Sequence, residues 1–251
     1  MLLLTLALAL LVGVTLGLMG GGGSILMVPL LVYVARLAPG TAIAASLFVI
    51  GVTAIAAVLP HARGGRVQWR AGAVLGVAAM AGAYAGGRLA AYVPEWVLLA
   101  TFALLMLATA IAMIRSRRDE TGEAASGALA VGPVLLAGVG VGLLTGFVGA
   151  GGGFLIVPAL TLFARLPMRQ AIGTSLLVIA MNSFAGLAGH LASVSVPWAT
   201  VLAVTAAAVV GSVVGGRLTG RVHPAHLRRG FGWFVLAMGL FVLTETVLTH
   251  A

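Results

Sequence analysis

Cysteine is absent from the 251 residues, which excludes disulfides, thiolate metal sites and thiol nucleophiles together. Charge is scarce as well: 8% of residues are charged, with 14 basic and 5 acidic side chains, whereas a soluble domain carries about a quarter. With 61% hydrophobic residues, the chain has too little polar surface to be one. No apolar run contains two carboxylates, and neither HExxH nor GxSG occurs. The residue sets of an intramembrane protease are therefore missing, and no enzyme, metal or cofactor is expected. Strict period-two alternation is missing too, since runs such as "TFALLMLATAIAMI" are apolar on every face, which argues against a closed barrel.

What is present is a succession of apolar stretches near the length of about 20 residues that a spanning helix needs. The fold class is all-α, a polytopic transmembrane bundle whose first partner is the lipid bilayer. The net charge of +9 is scattered between apolar runs, so it reads as loop charge and not as a nucleic-acid surface. The first twenty residues resemble a signal-peptide core but lack a basic start and recur inside the chain, so a structural helix is expected there.

Setting Gly22 on Gly151 aligns the chain with itself at an offset of 129. Roughly 30 of about 82 positions then match without a gap, the signature of a tandem duplication. Val28-Pro29 falls on Val157-Pro158, Trp69 on Trp198 and His61 on His190. The expected division is a first repeat over 1–114, a polar linker over 115–130 and a second repeat over 131–251. Pro/Gly punctuation places helices of the first half near 1–19, 24–36, 41–60, 70–91 and 96–114.

Arginine placement decides how the halves face. If each glycine break sits within one broken helix, the halves are parallel and the arginines divide almost evenly. If each break turns a hairpin, the halves are inverted and about twelve arginines share one side against two, Arg36 and Arg88. The inverted arrangement follows, with loops 61–70 and 115–130 cytoplasmic and the termini on the opposite, periplasmic face. Arg36 and Arg88 are read as caps on the preceding helix carbonyls. Charge leaves open whether each hairpin re-enters or crosses fully, and oligomeric state is unreadable.

Four consecutive glycines, Gly20 to Gly23, and the matching "GAGGG", Gly149 to Gly153, each cost helix stability of about 1 kcal/mol per residue. Inverted repeats with interrupted helices place ligand sites where half-helices end. Short runs beginning at Ser24 and Gly153 would present helix N-termini there, and glycine lets backbone N–H groups reach an anion. Gly21, Gly22, Gly23 and Ser24, with Gly151, Gly152 and Gly153, are the candidate anion-binding residues. Close helix packing is the plainer reading of spaced glycines such as Gly13, Gly17, Gly138, Gly142 and Gly146.

"GGGGSILMVPLL" and "GAGGGFLIVPAL", each followed by a Ser-containing helix, resemble the sulfite exporter TauE/SafE family of membrane permeases over almost the whole chain. The resemblance implies a secondary carrier moving a small sulfur-containing or organic anion, such as sulfite or a sulfonate, across the bacterial inner membrane. A passive anion channel and a non-transporting scaffold are the alternatives.

Ser46 and Thr53, matched by Ser175 and Asn182, share one face of the third helix of each half. They either line a cavity or bond across helices. His61 and His190 end the same helices, where histidine is ordinarily interfacial; proton coupling is the sharper reading, shared with Glu245, the one carboxylate well inside an apolar run. Trp69, Trp96, Trp198 and Trp233 are expected at helix starts as interfacial anchors.

Overall fold

A computed structural model describes residues 2–115, 131–149, 151–162, 164, 166–218 and 224–250. The expected linker and Arg165 thus lie outside the described residues, apart from Arg115 at the end of a helix. The first half contains α1 (Leu2–Met19), a 3₁₀ segment over Gly20–Leu26, one turn α2 (Met27–Pro29), a π segment over Leu30–Val34, and three longer helices. These are α3 (Pro39–Arg63), α4 (Trp69–Ala90) and α5 (Glu95–Arg115). The second half repeats the order as α6 (Val131–Val148), α7 (Gly153–Leu162), α8 (Met168–His190), α9 (Trp198–Leu218) and α10 (Pro224–His250). By length and composition, Pro39–Arg63, Trp69–Ala90, Arg169–His190 and Trp198–Arg217 can each cross a membrane.

Glycines set the helix directions. A Cβ on Gly13 or Gly17 of α1 would fall on the carbonyls of Ala208 or Ser212 of α9. One on Gly142 or Gly146 of α6 would fall on those of Ala79 or Ala83 of α4, the repeat-equivalent contacts. Both partners advance together, so α1 runs parallel to α9 and α6 parallel to α4. Each half's first helix therefore lies backbone to backbone on the other half's fourth, a contact that only small residues allow. The central pair is antiparallel: Gly51 of α3 faces Phe184 of α8, and Gly186 faces Leu47. Since α3 also runs with α9, Phe48 meeting Trp198 at 5.2 Å and Pro60 lying by Gly216, the set α1, α3, α9 opposes α4, α6, α8. The halves are inverted repeats.

With α1 and α3 parallel, the arm between them returns to the face from which α1 starts. The first returning arm does so as an interrupted helix. The sequence led to a short helix starting at Ser24, but the chain coils on through the glycines as 3₁₀ and widens to π after Pro29, which has no N–H to donate. The arm ends at Arg36, held at φ 56, with Leu37 N–H on Leu31 O at 3.0 Å. The same bond closes the second arm, Leu166 to Leu160 at 3.1 Å.

Trp69 and Trp198 begin α4 and α9 and Trp96 stands in the first turn of α5, all exposed. Trp233 lies well inside α10, because that helix starts earlier, at Pro224. Exposed Leu3, Val77, Leu104, Leu136 and Leu202 face outward around the bundle, as a lipid-facing surface requires.

Candidate functional site

The second glycine break is a tight turn built on left-handed backbone. Gly149, Gly151 and Gly152 have φ of 76, 63 and 80, a region in which other L-residues cost roughly 1–2 kcal/mol. The turn leads directly into α7, whose Leu155 and Ile156 N–H groups both reach Gly152 O at 2.9 Å. The first amides of such a helix have no intrahelical partner and carry its positive dipole end.

Three elements converge on this turn. From α3, Ile43 and Ile50 lie where Cβ atoms of Gly149 and Gly151 would stand, which puts the turn beside the N-terminal half of that spanning helix. The Ser46 hydroxyl, buried, is 2.7 Å from Gly149 O and 2.7 Å from Ile43 O, sharing its proton between the break and its own helix. From α8, Asn182 donates through Nδ2 to Thr145 Oγ1 of α6 at 2.9 Å and lies 3.4 Å from Gly151 O. Ser183, next in the chain, would be 3.2 Å from a Gly151 Cβ. Asn182 Oδ1 and Ser183 Oγ are both fully buried and make no hydrogen bond, an unusual state for polar atoms inside a protein.

The first break packs against α7 and α8. Gly23 folds back onto Thr15 and the backbone of Leu16, and Ser24 is fully buried. Around the equivalent of Gly151, the chain has Leu16 for Thr145, Thr53 for Asn182 and Ala54 for Ser183. Thr53 gives its proton to Val49 O at 2.6 Å, and Ser175 gives its own to Ile172 O at 2.8 Å. Both hydroxyls are thus engaged within their helices.

His61 and His190, expected at the interface, are instead buried, each 2% exposed. Each follows its helix to the last turn of the hairpin's first arm. His190 Nε2 lies 2.8 Å from Gly146 O. In the first repeat the Gly17 backbone faces His61, yet both ring nitrogens are buried with no partner at hydrogen-bond distance. Glu245 stands apart, exposed on α10 near Tyr33. Arg36 and Arg88 are exposed at helix ends, and no arginine whose side chain is described is buried. No group of three His, Cys, Asp or Glu residues able to hold a metal occurs among them either.

Thr145 and Ser183 escaped the sequence reading because their repeat partners are apolar; a polar residue in one repeat only was the available signal.

The family description "Sulfite exporter TauE/SafE" matches residues 5–242. The chain belongs to this family. Similarity to curated probable membrane transporter proteins extends nearly end to end. A probable membrane transporter protein of Xylella fastidiosa is 35% identical over 240 residues, covering 93% of this chain and 91% of its own. One of Methanocaldococcus jannaschii is 29% identical over 266 residues, 96% of each chain. A Bacillus subtilis probable membrane transporter protein is 25% identical over 238 residues, 93% of this chain and 96% of its own. No solved structure matches the chain. As a TauE/SafE member with this fold, the protein is a multi-pass membrane transporter.

Proposed function

We propose that the protein is a secondary carrier of a small sulfur-containing or organic anion, sulfite or a sulfonate being the family's namesake chemistry. The anion is held at the second glycine break. The observation that carries this reading is the junction of α7's N-terminus with two fully buried, unpartnered side-chain oxygens on α8. Gly151, Gly152 and Gly153 supply backbone amides at close approach, Asn182 and Ser183 supply side chains, and Gly21 to Ser24 close the site from the opposite repeat. Among the described side chains no cation reaches into the bundle, so positive character comes from the helix end, which suits a substrate that has to leave again. His61 and His190 are the candidates for proton coupling.

Uptake of radiolabelled sulfite into proteoliposomes tests the function: saturable flux with counterflow is expected. Flux that neither saturates nor shows counterflow would indicate a channel, and none above protein-free vesicles would leave a scaffold. Sidedness is tested separately. We place the protein in the inner membrane with the α3–α4 loop cytoplasmic. Gly64→Cys should label from the cytoplasm and Ser193→Cys from the periplasm, since α3 and α8 are antiparallel and both positions are exposed.

A further inference from the structure

The orientation of the Asn182 amide is fixed by its neighbours. Thr145 gives its hydroxyl proton to Val141 O at 2.7 Å, with Gly142 O at 3.2 Å, so toward Asn182 it can only accept. The Asn182 atom 2.9 Å away must then be the NH₂ nitrogen. That nitrogen's second neighbour, Gly151 O at 3.4 Å, is an acceptor as well. Oδ1 is consequently left as a buried acceptor with no donor, and Ser183 Oγ on the next residue has a proton to give and no acceptor. Burial without a partner is costly for either atom.

A ligand composed only of acceptor oxygens would satisfy Ser183 and the α7 amides but would set negative oxygen against Oδ1. One that also carries an O–H or N–H satisfies all of them. Charge points the same way. With no buried arginine among the described side chains, the site's positive character is the dipole end of α7, equivalent to about half a charge, which suits a singly charged ligand better than a doubly charged one.

On the reading that the second break binds an anion, we propose that its ligand is a monoanion bearing its own hydrogen-bond donor. The α7 amides and the Ser183 hydroxyl donate to its anionic oxygens, and Asn182 Oδ1 accepts from its O–H or N–H. Two sources share this chemistry: an oxyacid that retains one proton, as hydrogensulfite does, and a sulfonate carrying a hydroxyl.

Titration calorimetry on the purified full chain separates them. One arm compares 2-hydroxyethanesulfonate with propane-1-sulfonate, in which a methyl replaces the hydroxyl; the other follows sulfite affinity through its second ionisation. A preference of about tenfold for the hydroxyl compound, or sulfite binding that weakens as the last proton leaves, supports the proposal and names the source. Asn182→Leu should bring the favoured and disfavoured ligands to within about twofold, while Ser183→Ala should weaken both and preserve their ratio. Equal binding of the sulfonates with pH-independent sulfite binding overturns the proposal and leaves the anion site standing. Selectivity unchanged in Asn182→Leu also overturns it, and binding of none of these ions overturns both. Should Asn182→Leu not fold, the ligand ratios of the native protein and of Ser183→Ala still decide.

Discussion

The two glycine breaks occupy equivalent places in an inverted pair and are built differently. The first, "GGGGS", coils through as a 3₁₀ segment, and Gly23 lies against the α1 backbone. The second, "GAGGG", turns on three left-handed glycines into a regular α-helix. Thr145, Asn182 and Ser183 surround the second, and their repeat equivalents are Leu16, Thr53 and Ala54. The two copies share an architecture and differ in a few residues at the break. On the proposed function, ligand contact falls mainly to the second repeat and closure to the first.

The strongest way to break that comparison is Gly151→Val. A side chain there is strained at φ 63 and meets Ile50 and Ser183, so anion binding measured by calorimetry should be lost, with the melting temperature lowered by several degrees. Gly22→Val should retain measurable binding; equal loss in both would erase the distinction between the breaks. A smaller effect separates the equivalent polar residues. Asn182→Val should weaken binding about tenfold, because a contact to Thr145 and the ligand disappears. Thr53→Val should stay within about twofold, since that hydroxyl serves its own helix.

The histidines sharpen the comparison through stability. His190→Leu leaves the Gly146 carbonyl without its partner and should cost about 1–3 kcal/mol, visible as a lower melting temperature. His61→Leu removes a buried ring with two unpartnered nitrogens and should raise it. Loss of transport in a His61→Leu protein that melts higher would mark His61 as functional; unchanged proton dependence of uptake would remove it from coupling. Smallest is Arg36→Gly, where relief of the left-handed backbone should stabilise by no more than about 1 kcal/mol. A fall in melting temperature would mean that the arginine side chain outweighs the strain.

Most of the architecture was legible because membranes permit few solutions. Apolar length gave the helices, the offset of 129 gave the duplication, and arginine asymmetry gave the inversion. The spaced glycines signalled close packing and proved to set the contacts of α1 with α9 and α6 with α4. Less was legible at the break. Ser46 and Asn182 stood out as polar groups on an apolar helix, but periodicity could not tell that Ser46 would reach Gly149 while Ser175 bonds within its own helix. Ser183 was hidden because its repeat partner is Ala54, and the histidines seemed interfacial only because helix ends usually are.

By itself, the sequence determined that this chain crosses a membrane repeatedly, in two inverted halves, each interrupted by glycine. Hydrophobicity, periodicity and loop charge are properties of local segments, and the bilayer acts on segments. Which break carries unpartnered oxygens and which histidine finds a carbonyl were decided by the tertiary structure alone. Those outcomes depend on groups on different helices, such as His190 and Gly146, 44 residues apart, meeting at hydrogen-bond distance. Hydrogen-bond complementarity of that kind is a property of the packed bundle, and no stretch of chain contains it.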